Sequence, residues 1–152
     1  MLCGNNFLQS IFNGENIMQI VSSIILVEGK LVCLDHKKVG KITIPMGKID
    51  EGEEPFEAIT RELSEELGIK VEKTRIIMTA VLPMFFMKKS NLVINNLFKI
   101  TKYSGEITNV EPEKHLGLYY LTYEELVELK NQGKLERFLS LLIEKNLIFK
   151  NN

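Results

Sequence analysis

The spacing of apolar residues changes period several times along this chain, and each change marks an element. IVSSIILV (20–27) is a β-rich run, Glu28-Gly29-Lys30 is a turn signal, and LVCLDH (31–36) reads as a second strand, so the pair is a hairpin. ITIPMG (42–47) is a short strand stopped by Pro45 and Gly47. The period then switches. Phe56, Ile59, Leu63 and Leu67 recur at spacings of 3, 4 and 4, one stripe of a helix. Pro55 stands near the first position of that helix, acids fill its first turn, and Gly68 is placed to end it. Strand patterns resume in RIIMTAVLPMFF (75–86) and LVINNLFKIT (92–101), with Lys88-Lys89-Ser90 as the turn between them. Gly105 and EPEK (111–114) mark loops, and LGLYYLT (116–122) is a last short strand. Thr122 and Glu125 form a capping box for a helix over 123–133, and LERFLSLLIEKN (135–146) is a final amphipathic helix. Strands, a helix, more strands and then helices, with no internal repeat and no low-complexity linker, predict one mixed α/β domain.

Composition narrows the class without naming a function. The chain has 152 residues, 45% hydrophobic and 26% charged, which is globular and large enough for a real core. Its net charge of −1 favours neither a membrane surface nor nucleic acid as a partner. Cys3 and Cys33 are its only cysteines, which makes a reducing, cytoplasmic setting the expectation. Residues 1–17 carry no basic stretch and no long apolar run, so a cleaved signal peptide is not expected; Met18 begins a good first strand, so 1–17 are read as an N-terminal extension outside the fold, with the domain at 18–152.

Charge is distributed unevenly. Between Asp50 and Glu66 stand eight acids (Asp50, Glu51, Glu53, Glu54, Glu57, Glu62, Glu65 and Glu66) against the single base Arg61, a local formal charge of about minus seven. Like charges four apart on a helix destabilise it by a few tenths of a kcal/mol per pair. Glu62, Glu65 and Glu66 are expected in one arc of the helix, away from the Phe56/Leu63/Leu67 stripe. A solvated acidic face is the plain reading. A hard divalent cation that prefers oxygen ligands is the other.

Spacing favours the second. Gly47, five residues, Glu53, seven residues and then Arg61-Glu62-Leu63-Ser64-Glu65-Glu66-Leu67-Gly68-Ile69 resembles the signature of the Nudix hydrolases, G-x5-E-x7-R-E-U-x-E-E-x-G-U with U a bulky aliphatic, at every fixed position. Met46 stands where many members have glycine, and Asp50 where glutamate is commoner; neither is a fixed position. The resemblance covers roughly residues 18–147. It implies an α/β Nudix fold, a mixed sheet sandwiched between helices in α/β/α layers. It also implies Mg²⁺ as cofactor, with Mn²⁺ as a substitute, and cleavage of a diphosphate linkage in a nucleoside diphosphate-X. On that resemblance Glu53, Arg61, Glu62, Glu65 and Glu66 are the catalytic set. Gly47, Glu62, Glu65 and Glu66 would hold metal, with Glu62 as ligand or general base, Glu53 orienting the helix and Arg61 reaching Glu53. Lys37, Lys38, Lys41 and Lys48 flank the signature as candidate phosphate contacts, with solvated lysines as the bland alternative.

For the substrate, NVEPEKHLGLYYLTYEEL (109–126) resembles the matching segment of MutT-type nucleoside triphosphate pyrophosphohydrolases. That implies one more metal ligand, Glu113 with Glu111 second, and a small nucleotide as partner of a monomer or homodimer. The tryptophan common after this loop is absent and Leu118-Tyr119-Tyr120 replaces it, so Tyr119 and Phe85, with Lys48, are the candidate substrate contacts. Pro83, one residue off a proline seen in ADP-ribose and nucleotide-sugar pyrophosphatases, keeps that activity as the alternative. A nucleotide-sensing module that has lost catalysis is the alternative of another class.

Overall fold

The computed structural model describes residues 17–86 and 89–149, with the side chains of 84–86 and 89–91 left out of the description. Its elements in chain order are β1 (Ile17–Ile24), β2 (Leu26–Val27), β3 (Lys30–His36), β4 (Lys41–Thr43), β5 (Met46–Lys48), α1 (Pro55–Leu67), β6 (Lys70–Phe86), β7 (Lys89–Ser104), β8 (His115–Leu121), α2 (Tyr123–Asn131) and α3 (Arg137–Glu144). One sheet has the order β5-β1-β7-β6 and is mixed, because β1 runs parallel to β7 and antiparallel to β5. In the other, β3 pairs with β8 on one edge and with β2 and then β4 on the opposite edge, all antiparallel.

Strand alternation sends side chains to two cores. Val21, Ile25, Val32 and Leu34 meet Ala58, Ile59, Leu63 and Leu67 of α1. Ile24, Leu31 and Cys33 meet Leu126 of α2 and Phe138, Leu139, Leu142 and Ile143 of α3. Helices therefore cover both faces of the strands, the α/β/α layering expected from the sequence. Among the described residues no helix is long and apolar enough to cross a membrane.

Five details differ from the sequence reading. Residues 42–47 are not one strand. Pro45 separates β4 from β5, which pair in different sheets, and the Pro45 carbonyl accepts the Ser23 N–H at 3.0 Å. A proline has no donor for a ladder, so the chain changes sheets there. The strands β6 and β7 are longer than their apolar runs, since charged Lys70, Glu72 and Lys73 are carried on the exposed side of an outer strand. In the turn between them, Lys89 and Ser90 belong to β7, and Lys88 lies outside the described residues. Ile17 opens β1, one residue inside the expected extension. Phe56 is 52% exposed, so it does not belong to the buried stripe of α1.

The ends of α1 are set locally. Pro55 is its first residue, and the Glu54 N–H donates to Glu57 Oε1 at 3.4 Å. Gly68 ends it at φ 71°, its N–H directed to the Leu63 and Ser64 carbonyls. Thr108 N–H then donates to the Leu67 carbonyl at 3.0 Å and Val110 N–H to the Glu66 carbonyl at 3.1 Å. The loop before β8 is thus fastened to the last turn of α1 through carbonyls that a helix end leaves open. At Gly68 a side chain would add left-handed strain and approach Val110 Cγ2 to 3.2 Å. Gly68→Ala is expected to lower stability by about 1–2 kcal/mol, read as a shift in the urea midpoint at constant slope.

Candidate functional site

The site is built around one guanidinium. Arg61 Nε donates to Glu53 Oε2 at 2.8 Å and Nη2 to Glu53 Oε1 at 2.9 Å, a two-pronged pairing of fork with carboxylate. Nη1 donates to Glu62 Oε1 at 2.9 Å and to Glu65 Oε2 at 3.3 Å. Nη2 also reaches the Lys48 carbonyl at 2.9 Å, and Asp50 Oδ2 lies 3.4 Å from Nε. Glu53 Oε1 in turn accepts the Asp50 N–H at 3.0 Å. The loop between β5 and α1 is therefore tied to the middle of the helix. These bonds from Arg61 hold the Glu53 carboxyl below the usual range and raise Arg61 itself.

Glu66 differs from its neighbours. It is only 4% exposed, on the core side of α1. At ~100° per residue it stands about 20° from Ile59, so the expected arc of carboxylates clear of the apolar stripe is corrected here. Glu65 remains outside, its side chain 51% exposed, and Glu62 is in between at 13%. The Glu62 and Glu66 carboxyls bear on each other, and the Glu62 charge opposes ionisation of Glu66. Glu66 Oε2 is buried without a hydrogen-bond partner. Burial first, and then the Glu62 charge, push Glu66 up to about 9; burial also raises Glu62.

These features test the fit of a divalent cation. Among the described residues, no three of His, Cys, Asp or Glu stand gathered as a ligand set. Arg61 already takes one oxygen each from Glu62 and Glu65. What fits is the Glu62/Glu66 pair. Two hard oxygen donors bear on each other, and one Glu66 oxygen is buried unpaired, a penalty that a cation would remove. Gly47 sits against this pair: a Cβ built there would overlap the Glu62 carboxylate and push that side chain from its place. Gly47 is held in place by the β1–β5 ladder opposite Val21.

The loop before β8 supplies the next carboxylate. Glu111, its side chain 19% exposed, bears on Glu66 by charge and is paired with Lys114 Nζ at 2.7 Å. Glu113, the first expectation from the sequence, is exposed and lines a separate cavity with His36, Lys37, Lys38 and Lys114. Two residues decide the difference in position, and the docking of the loop on α1 selects between them.

The remaining candidates are dispersed. Lys48 contributes its carbonyl to Arg61 and exposes its side chain. Lys41 Nζ donates to the Gly133 carbonyl at 2.6 Å, a structural use. Tyr119 is 42% exposed and its ring lies over Gly117. Phe85 pairs with Ser90 through its backbone, and its side chain is outside the described residues. The Pro83 carbonyl accepts Arg137 Nη1 at 3.0 Å, tying β6 to α3. The Glu111–Lys114 pair was not drawn from the sequence, although its i,i+3 spacing was the available signal.

Comparison with known proteins bears on the family and the fold. The family model described as NUDIX domain matches residues 16–142. Among solved structures, the chain is similar to a MutT NUDIX hydrolase from Burkholderia pseudomallei, with a TM-score of 0.72 and 23% identity over 86% of this chain and 98% of that one. It is similar to the MutT protein from Methanosarcina mazei Go1, with a TM-score of 0.70 and 20% identity over 87% and 94%. An Ap4A hydrolase binary complex from C. elegans matches with a TM-score of 0.61 and 20% identity over 85% and 94%.

Glu66 makes stability depend on pH in a definite direction. Its folded pKa lies above its unfolded value, so between pH 5 and about 9 the unfolded chain has lost a proton that the folded chain keeps. Without metal, stability therefore falls as pH rises through this window, and Glu62 adds in the same sense. Glu53, shifted the other way, contributes stability that is lost only as pH falls below the ordinary carboxylate range. Urea denaturation in a chelator at pH 5.5, 7 and 8.5 is expected to show this fall, and Glu66→Gln to flatten it. Equal slopes for the two proteins would refute the assignment.

Proposed function

The chain belongs to the Nudix family of hydrolases, and we propose that its substrate is a (deoxy)nucleoside triphosphate, cleaved to the monophosphate and pyrophosphate. The observation that carries the reading is the buried Glu66 carboxyl, opposed by the Glu62 charge and with one oxygen unpartnered, beside an Arg61–Glu53 lock. Glu62, Glu65 and Glu66, with the Gly47 carbonyl, are the proposed holders of Mg²⁺ or Mn²⁺. Glu111 takes the place first given to Glu113, because it is the loop carboxylate that bears on Glu66. The cation supplies neutralisation of phosphate oxygens and activation of a water molecule.

The protein's own groups do the rest. Arg61 keeps Glu53 ionised and fixes the loop, so the carboxylates are held in position before substrate arrives. A glutamate of the set, ionised in the loaded site, would remove a proton from the attacking water. Burial of Glu66 lowers the local dielectric, which strengthens charge interactions at the reacting phosphorus. Lys48 stands exposed as a proposed phosphate contact, and Tyr119 and Phe85 as proposed base contacts. The working unit in this reading is residues 18–152, in the cytoplasm.

Incubation with Mg²⁺ and a panel of nucleoside triphosphates, ADP-ribose and dinucleoside polyphosphates, with product identification, tests the proposal. Monophosphate plus pyrophosphate is the expected product pair. Glu66→Gln is expected to lower kcat by roughly 10²–10⁴-fold while nucleotide binding persists. AMP and ribose phosphate from ADP-ribose would establish the alternative substrate class. Nucleotide binding without turnover, in wild type and variant alike, would mean a sensing module.

A further inference from the structure

Two cations of the chain itself reach the carboxylates of this site, and they hold them differently. Arg61 binds Glu53 at two points and Glu62 and Glu65 at one each, with its side chain 27% exposed. Lys114 Nζ meets one oxygen of Glu111, Oε2, at 2.7 Å, and its side chain is 60% exposed against 19% for Glu111. A multiply bonded guanidinium is a fixture. A single lysine contact at the surface is weak and opens readily.

The backbone beneath the Glu111–Lys114 pair does not depend on it. Val110 N–H donates to the Glu66 carbonyl at 3.1 Å, so Glu111 follows directly on a bond to the buried acid's own residue. The N–H groups of Lys114 and His115 both donate to the Glu111 carbonyl, at 2.9 and 3.0 Å, and Asn109 Nδ2 donates to the His115 carbonyl at 2.8 Å. On the far side, the Lys114 carbonyl accepts the Lys37 N–H at 2.9 Å, which fastens the turn to the end of β3. What can move is the ammonium, on its flexible four-carbon stem. Its charge reaches the buried acids. Burial and the Glu62 charge come first in raising Glu66; Glu111 adds to them, and Lys114 works against them. Glu111 above all, with Glu113 and then Glu62 behind it, favours the charged form of Lys114.

We propose that Lys114 is the resident counter-ion of the unloaded site, a positioning residue that keeps Glu111 paired and yields it to the divalent cation, and so limits how tightly that cation is held. The inference rests on the hydrolase reading and deepens it by naming what the cation must displace. An ammonium and a divalent ion compete for the same carboxylate oxygens, and the ammonium also repels the arriving ion. The opposite role, a brace that holds Glu111 ready for metal, predicts the opposite sign: without the lysine, metal would bind more weakly.

The test reads that sign directly. Mn²⁺ is titrated calorimetrically into the full chain at low ionic strength, without nucleotide, for wild type, Lys114→Met, Lys114→Arg, Glu111→Gln and the double variant Lys114→Met/Glu111→Gln. Methionine keeps an unbranched stem and every backbone bond of the turn. Lys114→Met is expected to bind Mn²⁺ about three- to ten-fold more tightly than wild type, the size that loss of an exposed ion pair allows. Lys114→Arg, which keeps the charge, is expected to stay close to wild type. In the Glu111→Gln background the gain from Lys114→Met is expected to shrink, because no carboxylate is left to release. Equal or weaker Mn²⁺ binding by Lys114→Met overturns the proposal. So does a gain of the same size with and without the Glu111 carboxylate, which would be a general effect of charge. Both results leave the hydrolase reading standing, since wild type binds the ion in each. No Mn²⁺ binding by wild type overturns the proposal and the metal-dependent reading together.

Discussion

Arg61 is the interaction on which the rest of the site depends. Four carboxylates and a backbone carbonyl converge on one guanidinium that is 27% exposed. A lysine could satisfy one of them at a time; the planar fork satisfies Glu53 with two bonds and still reaches Glu62, Glu65 and Lys48. Without it, the acids of the loop and of α1 would repel one another and the loop would lose its attachment. The same bonds divide the acids by role. Glu53 is kept ionised by its partner, whereas Glu66, one turn further along and out of Arg61's reach, is left to burial and to Glu62.

Much of this was legible in the sequence, where the chemistry is local. Pro55 and Gly68 bound a helix by backbone geometry, and both stand at its ends. The Thr122–Glu125 capping box needs only residues three apart, and Glu125 N–H donates to Thr122 Oγ1 at 3.2 Å. The spacing of Gly47, Glu53 and Arg61 also carried through, because it encodes how far a loop travels before it meets the helix again. What failed was tertiary. Apolar letters alone placed Phe56 in the buried stripe and Glu66 outside it, because a buried carboxylate looks like any other acid until its partners are known. Glu111 and Glu113 are equivalent as letters. Hydrogen bonds from Thr108 and Val110 to the end of α1 are what bring Glu111, and not Glu113, towards Glu66.

Charge in this protein is sorted by position, not by amount. Acids gather along α1, lysines at the turn after β3 and the start of β8, and the total nearly cancels. Arg61 offsets part of the acidic charge of the loop and of α1, and Lys114 is paired with Glu111.

The pairing of β1 with β7 has a consequence for how the molecule assembles. Ile17 lies beside Leu92, about 75 residues away along the chain, and α1 is threaded between them in sequence. The β6–β7 hairpin closes through near neighbours and forms readily, whereas the parallel contact waits for a long loop to close. Gly47 reaches Glu62 only through β5 on β1, which takes its own place from β7. The carboxylate geometry therefore depends on a pairing between segments far apart in the chain, and a slip in the β1–β7 register would carry β5, and Gly47 with it, away from Glu62.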